Sequence, residues 1–267
     1  MEKMTKTIAF MNQKGGVGKT TMTVHVSVGL AALGYRVVMV DMDPQGHIAM
    51  SFDVVGPDEV PEDGIFQLLV NDEPLSELLR PVKKEKYQLD DSDGTLEILP
   101  GRMKTQLVGQ VMRMQGDFEM LATALAPLNG LADYVLIDTS PSVGDLTPAI
   151  LAASQYVFIP TECERLAMDG VQNVYQVIYN LRKIHNAKPL GILPVKVRNT
   201  KEHKERLEEL QGLYHDEVWD DLKMPLSTVW SEASDVAETI FRYVPNHEAT
   251  NRAWQLVDRI IKLTGGE

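Results

Sequence analysis

The sequence predicts an α/β fold: one doubly wound domain over residues 1–267, with a mostly parallel central sheet flanked by helices. Three observations predict it. Apolar runs of strand length alternate with segments of helix length along the chain. The run at 36–40 is rich in β-branched residues, as expected of a strand covered on both faces. Finally, the first apolar run leads through a glycine-rich loop, NQKGGVGKTT at 12–21, directly into helical sequence. No repeat, low-complexity tract or linker composition divides the chain.

The elements follow in order. Residues 7–11 read as the first strand and 20–33 as a helix, ended by Gly34 where a left-handed cap favours glycine. Residues 36–40 form the second strand. The stretch 52–93 is rich in Asp, Glu, Pro and Gly, and reads as loops and short helices decorating the domain at about 52–95. Strands are expected at 96–99, 134–137, 156–159 and 190–197. Helices are expected at 103–125, 166–184 and 201–213. The sequence starts almost on its first strand, so no N-terminal helix-turn-helix domain is expected.

Composition narrows the function classes. Net charge is −12, which argues against a uniformly basic surface and confines any nucleic-acid contact to a local patch. Cys163 is the only cysteine, which excludes an internal disulfide framework and a multi-cysteine metal site within one chain. The apolar run at 8–11 is too short for a signal peptide, and no stretch approaches the roughly 20 apolar residues that span a bilayer. A cytoplasmic protein is expected.

The loop carries the first chemistry. Gly18-Lys19-Thr20 completes the end of the phosphate-binding pattern G-x-x-x-x-G-K-[ST], although Gln13 stands where that pattern begins with glycine. Backbone N–H groups of such a loop cradle phosphates at a helix N-terminus. Lys19 is then placed for the β- and γ-phosphates, and Thr20 for Mg²⁺. Asp41 and Asp43 follow the second strand, and Pro44 and Gly46 turn the chain there, at the strand end where open α/β sheets hold ligands. Asp138 ends the apolar run 134–138, the form of a carboxylate that holds Mg²⁺ through water.

The stretch 14–21, Lys-Gly-Gly-Val-Gly-Lys-Thr-Thr, resembles the deviant Walker A box of the ParA/MinD family of P-loop ATPases, and the stretch 41–46, Asp-Met-Asp-Pro-Gln-Gly, resembles the first switch segment of its ParA/Soj branch. The resemblance implies an ATP and Mg²⁺ site at Lys14, Gly15, Gly16, Val17, Gly18, Lys19, Thr20 and Thr21. It implies that Lys14 reaches the nucleotide of a partner subunit, adding a cation where charge develops during transfer. It also implies that Asp43 positions the attacking water, with Asp41 supporting the metal shell, and that 139–142 form a second switch. Metal ligation falls to Thr20, Asp43 and Asp138. Glu162 resembles a family glutamate that approaches the partner's ribose; an acidic helix start favoured by the dipole is the other reading. Pro194 opens the stretch 194–198, where relatives contact adenine.

The same resemblance implies a homodimer on ATP binding, slow hydrolysis stimulated by a ParB-like adaptor, non-specific DNA binding, and segregation of plasmid or chromosomal DNA on the nucleoid. Candidate DNA cations are Lys196, Arg198, Lys201, Lys204 and Arg206, then Arg242, Arg252, Arg259 and Lys262. The first group is interleaved with Glu202, Glu205 and Glu208, which also fits a solvated helix. Val229 departs from the family, standing where many relatives carry a DNA-contacting arginine. Two alternatives remain: a ParA-like scaffold that positions a non-DNA cargo, and a MinD-like membrane-associated ATPase. For the latter, Trp254, Val257, Ile260 and Ile261 would form the apolar stripe of a C-terminal helix. Such a stripe is more often packed on a core, and no stable membrane association is expected. The iron-protein branch needs more cysteines than Cys163 supplies.

Overall fold

The computed structural model describes residues 4–52, 63–89, 92–141 and 144–266, with the backbone alone at 165–167. The first half of the chain forms β1 (Lys6–Phe10), α1 (Lys19–Ala32), β2 (Arg36–Met42), α2 (His47–Ser51), α3 (Gly64–Val70), α4 (Leu75–Leu78), β3 (Arg80–Pro81) and α5 (Lys84–Tyr87). Then come β4 (Thr95–Leu99), α6 (Thr105–Gln115), α7 (Met120–Leu125), β5 (Tyr134–Thr139) and α8 (Thr147–Ala153). The last part holds β6 (Tyr156–Glu162), α9 (Arg165–Leu181), β7 (Lys188–Val195), α10 (Lys201–Tyr214), α11 (Val229–Asp235), α12 (Ile240–Tyr243) and α13 (Glu248–Thr264).

Among the described residues the strands form one sheet in the order β3-β4-β2-β5-β1-β6-β7. Every pairing is parallel except that of β3 with β4. Side-chain alternation divides the core between the two faces of this sheet. Ile8, Phe10, Val37, Met39, Tyr134 and Leu136 join one apolar cluster, with α1 and α13. Ala9, Val38, Val40, Val135 and Ile137 join the other, with α3, α6 and α9. Both faces are covered, so the strands carry apolar residues at successive positions. The α/β, doubly wound reading holds.

Three details differ from the sequence reading. The helix expected at 103–125 is two helices, because Gly116 takes a left-handed φ of 70° and ends α6. Asp117 then accepts a hydrogen bond from the Glu119 N–H, and α7 starts beyond it. The stretch expected to hold only loops and short helices contributes β3, with the Val82 N–H donating to the Leu96 carbonyl. Residues 53–62, 90 and 91 of that stretch lie outside the described residues. Last, β7 ends at Val195, and Val197 instead pairs with Pro225.

The C-terminal stripe has a plain destination. Val257 and Ile260 of α13 are buried in the core cluster, and Trp254 and Ile261 pack against it. That satisfies the stripe without a bilayer. Among the described residues, no helix is long and apolar enough to cross a membrane.

Candidate functional site

Strand register gathers the candidate residues. Phe10 and Asp41 each pair with Asp138, so the ends of β1, β2 and β5 meet at one edge. Glu162, the last residue of β6, pairs with Val195 of β7 beside them. The chain leaves β1 for β2 on one side and later crosses to β6 on the other. Ligands of open α/β sheets sit at such a switch point, outside the carboxyl ends of the strands.

The loop after β1 is built by its own backbone. Gly16 and Gly18 have φ of 76° and 80°, a left-handed geometry that glycine adopts without strain. Asn12 anchors the loop: its amide donates to the Pro160 carbonyl at 2.8 Å, and its side-chain oxygen accepts from the Lys14 N–H at 2.9 Å. The Met22 N–H donates to the Gly18 carbonyl at 2.8 Å, which carries the loop into α1. Val17 is buried under the loop.

Lys19 is 6% exposed. Burial lowers its pKa, and the negative charges of Asp138 and Asp43 oppose that shift without cancelling it. The Thr20 hydroxyl donates to Asp138 Oδ2 at 2.6 Å. Asp138 is wholly buried, and burial pushes its carboxyl up to about 7; Asp43 adds to the shift, while the Thr20 hydrogen bond and Lys19 work against it. Asp43 lines the cavity and caps its own turn, accepting from the Gln45 N–H at 2.9 Å. Asp41 does something else. Its two oxygens accept from the N–H groups of Asp43 and Ile48 at 3.0 and 3.1 Å, so this fully buried carboxylate braces the turn. Burial, reinforced by Asp138, raises its pKa well above the carboxylate range.

Lys19, Thr20 and Asp43 border a cavity of about 1130 Å³. Gly15, Gly16, Gly18, Lys19, Thr20 and Thr21 line one side, and Asp43 and Thr139 lie among the other walls. The volume accommodates a nucleotide. The donor set, a hydroxyl beside buried carboxylates, suits a hard cation such as Mg²⁺ better than a soft one. Ser142, the end of the expected second switch, lies outside the described residues.

Two expected residues meet within the same subunit. Lys14 Nζ lies 2.5 Å from Glu162 Oε2 and 2.7 Å from Glu164 Oε2. Burial lowers the Lys14 pKa, but the hydrogen bonds and charges of the two glutamates outweigh it, and the net shift is upward. Lys196 Nζ lies 2.8 Å from the other oxygen of Glu162 and donates to the Gly16 carbonyl at 2.6 Å. Burial raises the Glu162 pKa; the two lysines overcome it and hold the carboxyl below its ordinary value.

Pro194 is set back from the cavity, buried, with its carbonyl accepting from the Met224 N–H at 2.8 Å. The wall there is made by Val195 and Lys196 and by Met224, Pro225, Leu226, Ser227 and Thr228. Sequence reasoning missed this second segment, as it missed Gln106 and Gly109 of α6. No motif marks them; they arrive by packing against strand ends. Val229, the departure from the family arginine, is buried in the core. The candidate DNA cations are largely neutralised: Lys201, Arg206, Arg242, Arg252, Arg259 and Lys262 pair with Glu205, Glu209, Glu238, Glu248, Asp221 and Asp258.

A parallel sheet with a glycine phosphate loop after β1, a loop lysine and threonine, and carboxylates ending β2 and β5 defines a P-loop NTPase of the deviant Walker A type. A family model described as AAA domain matches residues 5–190. The sporulation initiation inhibitor protein Soj of Bacillus subtilis is 31% identical over 245 residues, 91% of this chain and 92% of the relative. The chromosome partitioning protein ParA of Myxococcus xanthus is 32% identical over 239 residues, 88% of this chain and 81% of its own. The chain belongs to the ParA/Soj family of the ParA/MinD superfamily. Cobyrinic acid a,c-diamide synthase from Mycobacterium smegmatis, solved with a bound ATP analogue and magnesium, superposes with a TM-score of 0.77 at 29% identity, covering 97% of this chain and 94% of that one.

Proposed function

We propose that this protein is a cytoplasmic, dimerising partition ATPase. ATP and Mg²⁺ bind at the 14–21 loop, two copies close over the nucleotides, and hydrolysis reopens them. The observation that carries this reading is the hydrogen bond from Thr20, which lines the cavity, to buried Asp138 behind it, with Lys19 and Asp43 also on the cavity wall. Thr20 takes Mg²⁺ together with Asp138 and Asp43, acting directly or through water. Asp43 orients the attacking water, and Lys19 carries the β- and γ-phosphates. Lys14 serves the nucleotide of the other copy, where a cation stabilises charge on the transferring group. Glu162 approaches the ribose held by that other copy. Adenine packs against the wall at 195–196 and 224–228.

The family relationship supports the cellular role: the ATP-bound dimer holds DNA without sequence preference, and a ParB-like adaptor stimulates an otherwise slow hydrolysis to move plasmid or chromosomal DNA. Co-sedimentation with DNA across ATP, ADP and salt tests this. Binding with ATP alone, lost progressively at high salt, is expected. Equal binding in all nucleotide states, or none in any, contradicts a nucleotide-timed DNA partition role.

A further inference from the structure

We propose that Lys196 is a positioning residue for closure: a second cation that keeps Glu162 paired when Lys14 leaves for the other copy's nucleotide. This rests on the reading above, in which Lys14 acts across the dimer. In the isolated subunit Lys14 is already engaged by Glu162 and Glu164. Reaching a partner therefore means giving up both.

The two losses are unequal. The Glu164 side chain is 52% exposed, and an ion pair in water is worth little. The Glu162 side chain is 11% exposed. A carboxylate abandoned there by a single cation would be left poorly solvated, which is why breaking a buried pair by removing one partner is so unfavourable. Lys196 removes the problem. Its ammonium sits on Oε1 and that of Lys14 on Oε2, so each oxygen has its own lysine. When Lys14 swings out, Glu162 remains paired.

Lys196 also ties this carboxylate to the phosphate loop through the Gly16 carbonyl, two residues from Lys14. The loop is thus held while the lysine moves. Lys196 itself has a φ of 52°, a left-handed conformation costly for a side chain of this kind. It occurs where the chain leaves β7, just before the Val197 N–H donates to the Met224 carbonyl at 2.9 Å. Backbone hydrogen bonds of Pro194 and Val197 with the 224–226 segment hold the strained residue in place.

The test measures the ATP- and Mg²⁺-dependent dimer of the full chain by light scattering against protein concentration. Lys196→Met should weaken the dimer by about tenfold or more, because Lys14 is then the only cation left to Glu162 and is released at greater cost. Lys196→Arg should stay near wild type. On a Glu162→Gln background the same Lys196→Met change should cost the dimer less than about threefold, the double variant being compared with Glu162→Gln alone, since the neutral amide no longer needs a cation. That loss of effect is the readout that a merely structural role, or a lost contact to the nucleotide, would not give. Undiminished dimerisation of Lys196→Met, an equal loss when Lys196→Met is added to Glu162→Gln, or Lys196→Arg as weak as Lys196→Met would each overturn the proposal. A wild-type chain that stays monomeric with ATP and Mg²⁺ would defeat the proposed function itself; a wild-type dimer indifferent to Lys196 defeats this inference alone.

Discussion

Asp138 carries a carboxyl in a place that water does not reach, and its neighbours decide when it ionises. Burial raises its pKa from 3.8 to about 7. Between those values the folded chain keeps a proton that the unfolded chain has released, so this group's contribution to stability falls as pH rises through that window. A divalent cation reverses the preference, because it needs the ionised carboxylate. Magnesium-dependent ATP binding should therefore strengthen as pH rises from about 6 to about 8, with proton release at the lower end. Calorimetry in two buffers of different ionisation enthalpy reads that proton directly. Asp138→Asn should abolish the release, and a proton count of zero in the wild-type chain at low pH would refute the coupling. At this scale much of the site was legible. The loop at 14–21 is contiguous, and its glycines are dictated by local backbone geometry. Asp43 and Asp138 stand at the ends of apolar runs. Lys196 was legible only as one cation among several, because its partners, Gly16 and Glu162, are 180 and 34 positions away. The contacts of Asp41 were not legible, since the two N–H groups that occupy it belong to a turn no spacing announces.

Helices and strands were legible wherever periodicity ran uninterrupted. The ends of β1, β2 and β5 fall within two residues of their sequence boundaries. The stretch 103–125 was misread because its apolar spacing continues past Gly116, and a glycine inside a helical pattern is tolerated often enough to be overlooked. The structure and the sequence reading make opposite forecasts here. In a continuous helix, Gly116→Ala would stabilise the protein by about 1 kcal/mol. At the left-handed end of α6, where no atom lies within 4 Å of an added Cβ, the same change should destabilise by about 1 kcal/mol through backbone strain alone. Urea denaturation of the two chains distinguishes them by the sign of the change in midpoint. β3 was missed for a different reason: two residues, one of them proline, give no pattern to read, and only pairing with β4 makes them a strand.

As a whole the molecule is an acidic body of net charge −12 whose nucleotide cavity opens along one edge of the sheet. The architecture was legible because alternating strand and helix lengths leave few ways to cover both faces of a parallel sheet. The surface was less so. Sequence order shows where cations are, and only the fold shows that Arg259 is paired to Asp221, 38 positions away. With most of its candidate cations already paired, the proposed DNA binding would have to exchange those contacts for phosphates or gather cations from two copies. In the proposed dimer each nucleotide is completed by Lys14 of the other copy. Light scattering of the chain with ATP and Mg²⁺, wild type beside Lys14→Ala, tests it most directly. The wild type should double in mass and the variant should not, or only at far higher concentration; a Lys14→Ala chain that dimerises at the same concentration and hydrolyses ATP at the same rate would contradict a role for Lys14 across the dimer.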